Sequence, residues 1–147
     1  MEFYRKAANQ GIATAQCNLA FMYRNGLGVS QDYGLAVELY RKAATQGHAD
    51  AQFNLAVMYD IGHGVSQDYE RAVELYRKAA NQGYANAQCN LGFMYKNGYG
   101  VSQDYERAVE LYRKSANQGH ANAQFNLSFM YKNGQGVSQD YEHAVEL

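Results

Sequence analysis

Residues 79–114 read AANQGYANAQCNLGFMYKNGYGVSQDYERAVELYRK, and this stretch recurs with few changes along the whole chain of 147 residues. Written in rows of 36 residues, the chain aligns without a gap over 7–42, 43–78, 79–114 and 115–147, and 1–6 aligns with the end of a preceding row. Self-similarity at a period between about 20 and 50 residues is typical of repeat proteins, in which one supersecondary unit stacks on the next. The sequence therefore predicts a single repeat domain over 1–147.

Each row carries the signals of two helices joined by a turn. In the first row, a helix is predicted from about Ala13 to Asn25, and Gly26 supplies the left-handed residue that often ends a helix. Asp32 is then an N-cap residue for a second helix from about Tyr33 to Gln46, which Gly47 ends. No part of the row alternates between apolar and polar residues as a strand does, so the fold class is predicted to be all-α.

One face of each predicted helix carries the residues that do not vary between rows. In the first row these residues are Ala15, Leu19, Met22 and Tyr23 on the first helix, and Tyr33, Ala36, Val37, Tyr40 and Ala44 on the second. The first set falls at i, i+4, i+7 and i+8 and the second at i, i+3, i+4, i+7 and i+11, and these spacings place each set on one side of a helix. We expect the two faces to bury each other and form the core.

The recurring residues resemble those of one known family. In the third row they are AANQG (79–83), AQCNLG (87–92), MY (94–95), GYGV (98–101), DY (104–105) and AVELYRK (108–114). This pattern closely resembles the Sel-one-like repeat (SLR), which is related to the tetratricopeptide repeat, and the resemblance covers the whole chain. It implies an α/α superhelical solenoid of about four 36-residue helix-turn-helix repeats. It also implies a scaffold or adaptor role in the assembly of protein complexes.

The columns that vary between the near-identical rows are candidates for contact with a partner. On the first helix they form a second stripe beside the core face, and the tetratricopeptide resemblance places this stripe on a concave surface where the related family binds peptides. The predicted partner-binding residues, column by column, are Thr14, Asp50, Asn86 and Asn122; Cys17, Phe53, Cys89 and Phe125; Phe21, Val57, Phe93 and Phe129; Arg24, Asp60, Lys96 and Lys132; and Asn25, Asn97 and Asn133, with Ile61 in the same last column.

The composition of this stripe is that of a peptide-binding groove. Apolar and aromatic side chains form its centre, and polar side chains form its edge. The three cations Arg24, Lys96 and Lys132 against the two anions Asp50 and Asp60 give a sum of +1, which predicts no strong charge preference. An alternative stays open at this point, because the phenylalanines would also suit packing between neighbouring repeats.

Composition argues against several other classes of protein. The 13 Lys and Arg residues against 14 Asp and Glu residues give a net charge of −1, which does not suit binding to nucleic acid. No apolar run approaches the roughly 18 residues that a membrane span needs, and the N-terminus lacks the pattern of a signal peptide. Cys17 and Cys89 lie in one column two rows apart, so no disulfide is expected between them, and a cytoplasmic location is favoured.

Neither a metal site nor a catalytic group is predicted. The histidines at 48, 63, 120 and 143 lack the close, recurrent spacing of zinc ligands. The segment Gly62-His63-Gly64 follows a helix and lacks the Lys-Ser/Thr of a phosphate-binding loop, so its glycines are predicted to form a turn. No Ser/His/Asp or Cys/His arrangement can be assigned. We therefore expect no cofactor and no enzymatic activity.

Two functions remain. The first is a scaffold or adaptor that binds a protein or peptide on the concave surface of the first helices. The alternative is a self-assembling structural protein, because Met1 aligns with Val37 and Leu147 with Leu39, so both ends fall inside a second helix without a polar capping repeat. Either the chain is an excerpt of a longer repeat protein, or ends of this kind stack head to tail between molecules.

Overall fold

The computed structural model describes residues 1–146, and all regular secondary structure in that range is helical. The helices are α1 (Glu2–Asn9), α2 (Ala13–Asn25), α3 (Tyr33–Thr45), α4 (Ala49–Ile61), α5 (Tyr69–Asn81), α6 (Ala85–Asn97), α7 (Tyr105–Asn117), α8 (Ala121–Asn133) and α9 (Tyr141–Glu146). The even-numbered helices are the first helices of the predicted rows, and α3, α5 and α7 are the second helices. The all-α class is thus confirmed. Leu147, the last residue of the predicted fourth row, lies outside the described residues.

The predicted ends of the helices are almost all found where expected. Gly26 follows α2 with φ of +66°, and its N–H donates to the carbonyl of Met22. The Asp32 carboxylate accepts a hydrogen bond of 3.0 Å from the N–H of Leu35, so Asp32 is the N-cap of α3. Helix α3 ends at Thr45, one residue before the predicted end, because Gly47 turns the chain with φ of +86°.

The core lies between the first and second helices of the rows, as the invariant columns predict. Ala15 and Leu19 are buried on α2, and Val37 and Tyr40 are buried on α3. The equivalent residues of later rows are buried too, with three methionines of one column almost fully covered: Met58, Met94 and Met130. Their counterpart in the first row, Met22, is only half-buried.

The chain falls into two compact units, Met1–Ala79 and Ala80–Leu147. In the first unit, α2 packs against α1 and α3, and α3 packs against α4. In the second unit, α7 packs against α6 and α8, and α8 packs against α9. Each unit therefore contains complete helix pairs with their own core. A single domain over 1–147 stays a prediction.

Two turn glycines make close backbone contacts. Gly64 has φ of +74°, and a Cβ atom placed on it would lie 2.5 Å from the carbonyl oxygen of Tyr33. The ring of the preceding residue, His63, stacks on the Tyr33 ring with centroids 4.4 Å apart. In the second unit a Cβ atom on Gly136 would lie 2.5 Å from the carbonyl group of Tyr105. The turn after a first helix thus packs on the start of the preceding second helix, and the interpretation of Gly62-His63-Gly64 as a turn is confirmed.

None of the helices within residues 1–146 has the length and apolar character of a membrane-spanning segment.

Candidate partner-binding surface

The stripe of variable residues lies on the first helices, and most of its side chains reach solvent. Its central phenylalanines are about half exposed, with 49% for Phe21, 47% for Phe93 and 42% for Phe129. In the column at the start of each helix, Thr14, Asp50, Asn86 and Asn122 are exposed. Phe125 is also exposed, whereas Phe53 and Val57 are half-buried. Each unit thus presents aromatic side chains among polar ones.

The two cysteines of the stripe do not reach the surface. Cys17 is 4% exposed and Cys89 is 5% exposed, and both are free thiols. Burial raises the pKa of Cys17 to about 12, and the carboxylate of Asp50 adds to this shift. Burial likewise raises the pKa of Cys89. The column of these cysteines lies next to the core face of the first helices, where neighbouring side chains cover the thiols, so we leave both cysteines out of the proposed surface.

In the first unit, the polar edge of the stripe is held together by its own hydrogen bonds. The Nη1 atom of Arg24 donates to the Oδ1 atom of Asn54 over 3.1 Å, which links α2 to α4. The side-chain amide of Asn54 donates in turn to Asp50. Farther along α4, Asp60 accepts a hydrogen bond of 2.9 Å from the hydroxyl of Tyr76. The charged groups of this edge therefore have partners inside the protein.

In the second unit, the polar edge is built from lysines. The ammonium group of Lys96 lies 4.4 Å from the centroid of the Phe129 ring, a cation–π contact that joins α6 to α8. Within residues 1–146, neither Lys96 nor Lys132 forms an ion pair. The amides of Asn97 and Asn133 donate to backbone carbonyls of their own helices, four residues earlier.

A column of buried tyrosines, which sequence analysis assigned only to the core, lies beneath this edge. Tyr40, Tyr76 and Tyr112 are fully buried on the second helices. The hydroxyl of Tyr76 bonds to Asp60, and that of Tyr40 lies beside Arg24. The hydroxyls of Tyr40 and Tyr112 are both buried without a hydrogen-bond partner in the described part of the chain. Burial raises the pKa of Tyr112, and the nearby Cys89 adds to the shift.

The two buried tyrosines permit a matched test. Tyr76→Phe is expected to lower the free energy of unfolding by about 1–2 kcal/mol, because it removes a hydrogen bond to a carboxylate. Tyr112→Phe is expected to leave the free energy of unfolding unchanged or to raise it, because it removes a buried hydroxyl that has no partner. Urea unfolding followed by circular dichroism measures both values. Equal losses in the two variants would contradict the assignment.

The histidines of the shared column have a structural role. The Nδ1 atoms of His48 and His120 accept hydrogen bonds of 3.2 Å from the N–H groups of Ala51 and Ala123, so these histidines cap α4 and α8. The other ring nitrogen of His120 lies 2.7 Å from the Oδ1 atom of Asn86. Among residues 1–146, no group of three or more His, Cys, Asp or Glu side chains is placed to hold a metal ion.

Comparison with known families agrees with this arrangement. The sequence profile of the Sel1 repeat matches residues 1–12, 13–48, 49–84, 85–120 and 121–147. The chain belongs to the Sel1 repeat family. Proteins of the Sel1 repeat family generally act as protein-interaction scaffolds and are typically not enzymes. The matched boundaries are shifted from the rows above because they begin at the first helix of each pair.

Solved Sel1 repeat structures are similar to the chain along almost its whole length. The protective antigen c5321 of uropathogenic Escherichia coli, which displays an SLR fold, is 39% identical with a TM-score of 0.96, over 99% of this chain and 31% of that protein. A Sel1 repeat protein from Oxalobacter formigenes is 38% identical with a TM-score of 0.89, over 93% of this chain and 55% of that one. This chain thus spans only part of the length of both proteins.

A more distant structure shares the fold alone. Cysteine rich protein B of Helicobacter pylori is 24% identical with a TM-score of 0.66, over 82% of this chain and 91% of that protein. No curated protein matches the chain at a significant level.

Proposed function

We propose that this Sel1 repeat chain is a scaffold or adaptor that binds a peptide or protein partner on the exposed face of its first helices. The proposal rests on the half-exposed phenylalanines of one column, Phe21, Phe93 and Phe129. In the first unit the proposed contacts are Thr14, Phe21, Arg24, Asn25, Asp50, Phe53, Val57 and Asp60. In the second unit they are Asn86, Phe93, Lys96, Asn97, Asn122, Phe125, Phe129, Lys132 and Asn133.

Exposed aromatic side chains favour a role in binding over a role in the core. Phe21, Phe93 and Phe129 leave between 42% and 49% of their surface in solvent, whereas the methionines next to two of them, Met94 and Met130, are almost fully buried. A large aromatic side chain that stays half exposed costs free energy until a partner covers it. Aromatic residues are also enriched among the residues that dominate binding energy at interfaces.

Loss of binding without loss of stability tests this function. The wild-type chain selects peptides from a library displayed on phage, and the Kd of the best peptide is measured by fluorescence anisotropy. The double variant Phe93→Ala/Phe129→Ala is expected to weaken binding by about tenfold or more, because each side chain contributes buried area on binding. Its melting temperature is expected to stay close to that of the wild type.

The matched control is Phe3→Ala, which removes an exposed phenylalanine from α1, outside the proposed surface. This variant is expected to bind as the wild type does. Binding that survives the double substitution, or a double variant that unfolds, would overturn the proposed surface. Head-to-tail self-association, and the expected lack of binding to nucleic acid and membranes, stay predictions.

A further inference from the structure

The two units carry opposite charge on their first helices. In the first unit, α2 carries Arg24 and α4 carries Asp50 and Asp60, which gives these two helices a net charge of −1. In the second unit, α6 and α8 carry Lys96 and Lys132 and have no carboxylate, which gives +2. The small total of +1 expected from sequence is therefore the sum of an acidic face and a basic face.

Equivalent positions of two successive repeats differ in the group that lies next to the buried tyrosine. Asp60 and Tyr76 correspond to Lys96 and Tyr112 one repeat later. In the first unit the hydroxyl of Tyr76 donates to the carboxylate of Asp60 over 2.9 Å. In the second unit the position equivalent to Asp60 is Lys96, and the hydroxyl of Tyr112 is buried without a partner among the described residues. No carboxylate therefore binds the Tyr112 hydroxyl among the described residues, and the ammonium group of Lys96 lies on the Phe129 ring.

Two linker carboxylates of the second unit, Asp104 and Asp140, have contacts of their own. Asp104, in the linker before α7, accepts from the N–H of Arg107 over 3.1 Å and pairs with its Nε atom at 3.6 Å. Asp140, in the linker before α9, accepts from the N–H of His143 and lies 3.9 Å from its Nδ1 atom. Both carboxylates are therefore engaged at the starts of their own helices. Lys96 and Lys132 form no ion pair within residues 1–146.

The same position is open to solvent in the first unit. Asp60 is only half-buried although it reaches the fully buried Tyr76. In the second unit the hydroxyl of Tyr112 has no solvent-exposed surface, whereas Lys96 is half-buried, so a partner's carboxylate would meet Lys96 and not this hydroxyl. The rings of Phe93 and Phe129 lie on the same helices, and Lys96 already covers the Phe129 ring. Apolar contact and charge recognition are thus available side by side.

We propose that the face formed by α6 and α8 binds a peptide segment that carries both acidic and large apolar side chains, with one peptide carboxylate paired with Lys96. This inference rests on the proposed function and names the chemical class of its partner. The remaining cation, Lys132, lies in the same column one repeat later and would accept a second acidic residue.

Selection and matched peptides test the partner class. A library of random 12-residue peptides displayed on phage is selected on the full chain, and the enriched sequences are compared with the starting library. Peptides rich in Asp or Glu together with Phe, Leu or Trp are expected. The best peptide and its version with every Glu and Asp changed to Gln and Asn are then measured by fluorescence anisotropy. The acidic version is expected to bind about tenfold more tightly, with the difference shrinking at high salt.

Substitutions that rebuild the first-unit arrangement test the position. Lys96→Asp supplies the carboxylate that Tyr112 lacks, so it is expected to fold as stably as the wild type and to lose the preference for the acidic peptide. The control Lys114→Asp makes the same charge change at an exposed position of α7 and is expected to change the Kd less than twofold.

The outcomes separate the two proposals. Peptides that need Phe93 and Phe129 but show no acidic enrichment, or that ignore Lys96→Asp, would overturn this inference and leave the proposed function standing. Displacement of the acidic peptide by a single-stranded oligonucleotide at a lower concentration would overturn it in favour of a nucleic-acid partner. A wild-type chain that enriches no peptide at all would overturn both proposals.

Discussion

Gly64→Ala is expected to lower the free energy of unfolding by about 3 kcal/mol or more. A residue with a side chain at the left-handed φ of +74° costs about 1–2 kcal/mol by itself. The added Cβ atom would also lie 2.5 Å from the carbonyl oxygen and 2.7 Å from the carbonyl carbon of Tyr33. Since both are backbone atoms, no side-chain rotation relieves the contact, and the turn must move away from α3.

Gly47→Ala is the matched control for this prediction. Gly47 has φ of +86°, and a Cβ atom placed on it meets no atom within 4 Å. The control therefore carries the backbone cost alone, and we expect a loss of about 1–2 kcal/mol. Urea unfolding followed by circular dichroism measures both variants. Equal losses at the two positions would mean that the turn does not pack closely on Tyr33.

The fold follows from sequence because its signals are local and repeated. The spacing of Ala15, Leu19 and Tyr40 defines which face is buried, and Gly26 and Asp32 mark where helices end and begin. Each signal acts within one turn of helix, so it can be identified without knowledge of distant contacts. The single misplaced boundary, at Thr45, differs by one residue from the prediction.

The candidate surface follows from sequence only in part. Variation between rows selects Phe93, which is half exposed, but the same reasoning also selects Cys89, which is buried. Both lie in variable columns of one helix, and spacing alone cannot show how far a short side chain extends toward solvent. A charge total over the whole chain also hides the opposite charge of the two units.

The buried tyrosines show a different limit. Sequence patterns treat Tyr76 and Tyr112 as equivalent core residues, since both are invariant and both rings are fully buried. Their hydroxyls nevertheless meet different groups, because the facing position is Asp60 in one repeat and Lys96 in the next. The difference appears only when a polar atom of one column is paired with a varying residue of another. Such pairing depends on the three-dimensional contact of two helices.

Met94→Ala is expected to lower the free energy of unfolding by about 2–4 kcal/mol, whereas Phe93→Ala on the same helix is expected to lower it by about 1 kcal/mol or less. Met94 is 1% exposed, so its loss leaves a cavity among packed side chains. Phe93 keeps about half of its surface in solvent, and its ring has Tyr99 at a centroid distance of 6.0 Å. Its removal exposes little that was covered.

This pair of adjacent residues decides between a binding surface and a packing role for the phenylalanine column. Both variants are measured by urea unfolding under the same conditions, and the difference between them is the quantity of interest. If Phe93→Ala costs as much as Met94→Ala, the ring is part of the core and its exposed fraction has no bearing on a partner. If Phe93→Ala costs much less than Met94→Ala, folding leaves much of the Phe93 ring in water. A partner that covers this apolar surface would then gain free energy of binding.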